Sequence, residues 1–158
     1  MSTLSVDERI RRLEDIEALK QLKSRYAAYC DDDYDADRLA PLFTHDAIWD
    51  GGPLGRCEGR DAIRAFFAAA PKALPFAIHH VMNPDIEVNG DQATGRWRLW
   101  QPCIHAAGAT ALWIAGRYDD AYRRDDGIWR FAHVTFRLTM MSPYDAGWSK
   151  ARMIEVPA

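Results

Sequence analysis

Two histidines stand side by side in Ala77-Ile78-His79-His80-Val81-Met82-Asn83. In an extended chain their side chains point to opposite faces, so one of the two faces inward in any half-buried sheet. Strand alternation groups His79 with Ala77, Val81 and Asn83, and His80 with Ile78 and Met82. An imidazole ordinarily titrates near about 6.5 and can exchange a proton at working pH. Two readings therefore stand for His79: a hydrogen-bonded structural ring, or a base in a pocket. An acidic run, Asp31-Asp32-Asp33-Tyr34-Asp35, offers a carboxylate partner. Its ordinary reading is a solvated helix cap, because Asp31 falls at the edge of the apolar stripe formed by Ile16, Leu19 and Tyr26. Tyr26 lies on that stripe, where its ring suits a core and its hydroxyl needs a partner. A metal reading would gather His79, His80, His105 and His133 with Asp31, but these lack the i, i+4 or C-x-x-C spacing of a ligand set. No phosphate-cradling glycine loop, nucleophile elbow or redox pair is present.

The elements that would position these groups fall into two halves. From Val6 to about Asp31 the chain is rich in Leu, Glu, Lys, Arg and Ala with apolar residues at helical spacing, which predicts one long helix. Ala36 to Phe43 reads as a short second helix broken near Pro41, Ala47 to Gly52 as a strand entering a turn, and Gly59 to Ala70 as a third helix. From Phe76 onward the period changes to two, in runs rich in aromatic and β-branched residues. Asn89-Gly90 and Asp126-Gly127 sit where tight hairpin turns want such dipeptides, which predicts antiparallel neighbours. Gln101 to Thr110 reads as the connection between the two longest strands. Gly116, Tyr118, Asp120 and Tyr122 share one strand face, and Trp97, Trp100 and Trp113 add aromatic area to the same sheet. Helices first and strands afterwards is the order of an α+β domain with helices covering one face of a curved antiparallel sheet.

Length and charge bound the function. At 158 residues, 48% of them hydrophobic and 27% charged, the chain fits a single domain spanning 1–158, with a core over about 15–141 and a tail over 142–158. The net charge of −3 is spread over both signs, which leaves no basic stripe for a nucleic acid. Cys30, Cys57 and Cys103 are odd in number and read as buried thiols in a reducing compartment. The charged N-terminus and the lack of an apolar run of about 18 to 20 residues point to a cytoplasmic protein with no membrane partner.

The runs DIEALKQLKSRYAAYCDDDYDADRLAPLF, AIWDGG, GRDAIRAFF, IHHVMNPDIEVNGDQATGRWRLW and RYDDAYRRDDGIWRF resemble the SnoaL-like branch of the nuclear transport factor 2 superfamily, over roughly Asp15 to Arg137. Relatives in that branch include bile-acid 7α-dehydratase, scytalone dehydratase and hexachlorocyclohexane dehydrochlorinase. The resemblance implies a cystatin-like, cone-shaped antiparallel sheet wrapped around the N-terminal helix. It also implies a strand histidine working with an aspartate at the helix end, which places the pair at His79 and Asp31, with the helix tyrosine at Tyr26. The sequence departs from the relatives at Trp100-Gln101-Pro102, where the bile-acid enzyme has a pocket aspartate, and at Cys103, where scytalone dehydratase has a second histidine. His105 is near but out of step.

On these grounds the expected site holds His79, Asp31 and Tyr26 as catalytic residues. Tyr118, Trp49, Trp97, Asn83 and Gln101 are the expected substrate contacts, with no metal and no cofactor. The expected activity is a dehydratase-type lyase on a small hydrophobic alicyclic or aromatic molecule. An isomerase or cyclase using the same pocket, and a non-catalytic binding module, are the alternatives. The branch also implies a homo-oligomer, trimer or dimer, with aromatic strands and Trp148 supplying its surface.

Overall fold

The computed structural model describes residues 4–155. Helix α1 (Val6–Asp31) opens with a capping box in which Ser5 Oγ accepts from the Glu8 amide at 3.2 Å and Glu8 Oε2 accepts from the Ser5 amide at 2.7 Å, satisfying two of the orphan donors of the first turn. It buries Leu19, Leu22, Lys23, Tyr26, Ala27 and Cys30, a stripe of spacing three and four that lies on the concave face of the sheet. Helix α2 (Ala36–Leu39) passes at once into a 3₁₀ turn over Ala40–Leu42, because Pro41 cannot continue the α ladder. Helix α3 (Arg60–Ala69) buries Ile63 and Phe67 and closes the open end of the sheet.

The seven strands are β1 (Phe43–Asp50), β2 (Arg56–Glu58), β3 (Phe76–Ala77), β4 (His80–Asn89), β5 (Gln92–His105), β6 (Thr110–Asp125) and β7 (Ile128–Pro143). They hydrogen-bond in the order β2-β1-β7-β6-β5-β3, with β4 also on β5. The architecture is the expected α+β cone, with one correction: the sheet is mixed, because β1 pairs parallel with β7. The crossover from β1 passes through α3 and five strands before β7 returns beside it, and no local pattern announces such a pairing. The β6–β7 hairpin closes at Asp126 and Gly127, both in the left-handed region with φ of 52° and 75°, as a two-residue type I′ turn needs.

Two further expectations change. Gln101 to Thr110 is no connector: β5 continues through Pro102 to His105, and only Ala107–Ala109 form a 3₁₀ turn. The histidine-bearing run is not one strand but two, broken at Ile78-His79. The tail folds back on the end of β7, where the Met141 amide donates to Arg152 O and the Ile154 amide to Met141 O. Trp148 meets Trp100 edge-on at 5.8 Å on the outer face. No described helix is long and apolar enough to cross a membrane.

Candidate active site

The inner face of the sheet follows the two-residue period without a slip through β5, where Ala93, Gly95, Trp97, Leu99, Gln101, Cys103 and His105 all point inward. On β6 the inward set is Leu112, Ile114, Gly116, Tyr118, Asp120 and Tyr122. Gly116 makes room for a neighbour: a Cβ there would lie 2.4 Å from the Phe136 ring. Of these inward residues, Leu99, Gln101, His105, Leu112, Ile114 and Tyr118, with Tyr26 and Cys30 of α1 and Phe66 and Phe67 of α3, line a cavity of about 340 Å³. That volume is within the range of small-ligand sites, about 300 to 1,000 Å³. The lining is mostly aromatic and aliphatic, and it contains no Lys, Arg, Asp or Glu.

His79 reaches this cavity from the break between β3 and β4. The interruption frees its backbone N–H from the ladder, and Asp31 at the last turn of α1 accepts that N–H at 2.8 Å. The same Asp31 oxygen lies 2.7 Å from His79 Nδ1. The His79 side chain is 6% exposed and that of Asp31 31%. The aspartate thus sits behind the imidazole at the rim while the ring lines the cavity. A carboxylate on Nδ1 fixes the tautomer with the proton there and leaves Nε2 unprotonated. Tyr34 stands edge-on to the imidazole at 5.8 Å between centroids and holds the ring from the other side.

Tyr26 is 2% exposed and packs against Phe43, Phe67, Tyr118 and Phe131. Its hydroxyl accepts from Trp49 Nε1 at 3.0 Å and directs its own proton toward the Tyr118 hydroxyl and the Cys30 thiol. Burial pushes the hydroxyls of Tyr26, Tyr34 and Tyr118 well above the ordinary phenol range, which keeps them neutral donors at physiological pH. Burial also raises the Cys30 thiol, and that of Cys103 to about 11, so both are protonated and poor nucleophiles.

Of the residues expected from sequence, His79, Tyr26, Tyr118, Trp49 and Gln101 line the cavity, and Asp31 bonds His79 from its rim. Two lie elsewhere. Trp97 is buried under α1, where its indole N–H donates to Tyr122 at 2.9 Å, outside the cavity wall. Asn83 is exposed, at φ 54° in a bulge where the β4–β5 register shifts between Met82 and Asp85. That bulge, next to Pro84, breaks the alternation that had grouped Asn83 with His79.

Sequence reasoning missed Tyr34, Cys30 and His105 as cavity residues, and it missed an ion pair beneath the floor. Lys23 Nζ lies 2.8 Å from Asp120 Oδ2, with side chains 1% and 0% exposed, and 3.5 Å from the Tyr118 ring centroid. Tyr122 donates to the same carboxylate at 3.0 Å. The lone aromatic in an acidic run was the available signal for Tyr34. Lys23 on an apolar helix stripe was the signal for the pair. Among the described residues no three His, Cys, Asp or Glu side chains gather as a metal-binding set.

The SnoaL-like domain family matches residues 11–135. An uncharacterised protein of Mycobacterium tuberculosis strain H37Rv is 31% identical over 131 residues, spanning 82% of this chain and 86% of that one. Among solved structures, the type 3 hexachlorocyclohexane dehydrochlorinase of Novosphingobium barchaimii aligns with a TM-score of 0.78 at 24% identity, covering 95% of this chain and 99% of that one. A protein of unknown function with a cystatin-like fold from Nostoc punctiforme gives 0.66 at 18% identity, covering 87% and 96%. At such identities these two structures speak for the fold.

Proposed function

This chain belongs to the SnoaL-like domain family, and from that premise we propose that it is a cofactor-independent lyase acting on a small hydrophobic alicyclic or aromatic substrate. One observation carries the reading: a carboxylate 2.7 Å from one nitrogen of an imidazole whose ring lines an apolar cavity. Asp31 orients His79 and stabilises the imidazolium that forms. Nε2 takes a proton from a carbon next to an electron-withdrawing group, the freed pair forms the new double bond, and hydroxide or halide leaves the neighbouring carbon. A departing hydroxide recovers the proton from His79 and leaves as water, and after loss of halide the imidazolium returns the proton to solvent. Tyr26, held neutral by burial, turns its proton to an oxygen of the substrate as charge builds there.

Such a base contributes about 10²- to 10⁴-fold to the rate. The test is a thermal-shift screen of wild type and His79→Ala against hydroxylated polycyclic, polyketide and aromatic ketone libraries, with mass spectrometry of each stabilising compound. Loss of 18 mass units in the presence of wild type and not of the variant supports the lyase. Stabilisation of both proteins by compounds recovered unchanged would overturn it in favour of a binding module.

A further inference from the structure

The cavity is lined by two imidazoles, and their hydrogen bonds hold them in opposite tautomers. His79 Nδ1 lies 2.7 Å from the Asp31 carboxylate, which keeps the proton there and leaves Nε2 an acceptor. His105 is built the other way. It ends the inward row of β5, is 8% exposed and lines the cavity. Its Nδ1 accepts from the Ala107 amide at 3.2 Å, across the turn from β5 to β6. A ring nitrogen that accepts carries no proton in the neutral imidazole, so the proton of His105 sits on Nε2. The Ala107 bond is the one side-chain hydrogen bond of His105 among the described residues, and it leaves that N–H free for a ligand. The turn itself is tied down: the Ala106 amide donates to Ala73 O at 2.8 Å, in the segment after α3 whose Ala70, Ala73 and Leu74 also line the cavity. The two rings stand at different depths. The register Ala77↔Cys103 and His80↔Trp100 sets His79 opposite Gln101, and His105 lies about 13 Å further along β5 at strand rise.

We propose that His105 is a specificity residue that recognises the end of the ligand remote from His79, and that the ligand carries there an uncharged hydrogen-bond acceptor such as an ether oxygen or an aromatic ring nitrogen. This rests on the cavity being the ligand site, as the lyase reading does, and not on turnover. The hydroxyls of Tyr26 and Tyr118 can turn their protons among several acceptors. The His105 N–H cannot, because Ala107 fixes the other side of the ring, so the donor is aimed before a ligand arrives and ordering it costs little. A hydrocarbon end placed against it would strip water from the N–H and return no bond. A charged end fares no better: the lining holds no Lys, Arg, Asp or Glu, and the charge would be buried unpaired. His79 Nε2, an acceptor, cannot bind the same group, so the two imidazoles set the direction in which a ligand lies.

The experiment uses naphthalene and isoquinoline, which share one shape and differ by a single ring nitrogen that accepts but does not donate and is uncharged at mildly alkaline pH. Both are titrated into wild type, His105→Phe and His79→Ala. The affinity ratio of isoquinoline to naphthalene should be about tenfold higher in wild type than in His105→Phe, equivalent to about 1.4 kcal/mol, and His79→Ala should keep the wild-type ratio. Nitrogen NMR of the wild-type imidazoles, which needs no variant to fold, should show His105 protonated at Nε2 and not at Nδ1, with the reverse for His79. Isoquinoline should shift the His105 Nε2 signal and naphthalene should leave it in place. A proton on His105 Nδ1, an equal ratio in wild type and His105→Phe, a ratio that collapses in His79→Ala, an unmoved Nε2 signal with isoquinoline bound, or binding of neither probe would overturn the proposal. The expected ratios and signals without turnover of any compound in the screen would overturn only the lyase reading.

Discussion

Among the ion pairs along helix α1, Lys23–Asp120 and His79–Asp31 are built to opposite ends. Lys23–Asp120 is sealed: both side chains are at most 1% exposed, the ammonium rests on the Tyr118 ring, and Tyr122 supplies a further bond. Burial pulls the lysine down and the aspartate up from their ordinary ranges, against their mutual attraction, and Asp120 Oδ1 is left without a partner. His79–Asp31 is open. Its carboxylate is a third exposed to solvent at the rim while the ring faces the cavity. A buried ion pair with no exposed atom can specify how helix and sheet dock, but it cannot exchange protons with a ligand. A pair with one wet member and one member in a cavity can do both.

The largest effect that would break this contrast is on turnover. His79→Ala should cost about 10²- to 10⁴-fold in kcat with a melting temperature near that of wild type, measured on the substrate the screen identifies. Asp31→Asn, which keeps the shape but not the charge, should lose less than His79→Ala in the same turnover assay. Next is the sealed pair. Lys23→Met or Asp120→Leu alone strands a buried charge and should destabilise by about 3–5 kcal/mol in chemical denaturation. The double variant should recover most of that loss or exceed wild type, because matched apolar side chains carry no desolvation cost. A double variant no better than the singles would mean the pair stabilises outright.

The smallest effect calibrates both pairs against the surface. Hydrogen bonds from Arg123 hold exposed Asp46 below the usual carboxylate range. A carboxylate depressed in the folded state adds stability above its unfolded value, near about 4, and loses it as pH falls toward the folded value. Asp46→Asn should therefore cost at most about 0.5 kcal/mol at pH 7, screened by salt. The cost should shrink steadily as pH falls below about 4 in urea titrations.

Much of this was readable in the residues. Helix α1 runs over the span that its spacing marks, and the inward set of β6 was visible as Gly116, Tyr118, Asp120 and Tyr122. Alternation could show that one of two adjacent histidines faces inward. It could not place Asp31, which the helix stripe leaves at its edge and which family resemblance alone brought to His79. It erred at Asn83, because a bulge is a two-against-one count that no alternating pattern contains. The Lys23–Asp120 bond joins positions 97 apart in sequence, and the parallel β1–β7 pairing spans a similar distance. Both are products of the curved sheet as a whole, not of any local run. Pro102 hid the extension of β5, since proline inside a strand ordinarily argues against one.

One carboxylate oxygen of Asp31 receives both the main-chain amide and the ring nitrogen of the same histidine, and it does so from the last turn of a 26-residue helix. Helix termini are where thermal opening begins. The site is thereby fastened to the packed end of α1, which buries Tyr26, Ala27 and Cys30 while the first turns lie exposed, so any opening of that end releases the imidazole from its carboxylate. The His79 amide, outside any strand, should exchange its hydrogen in step with the end of α1 and not with the sheet beside it.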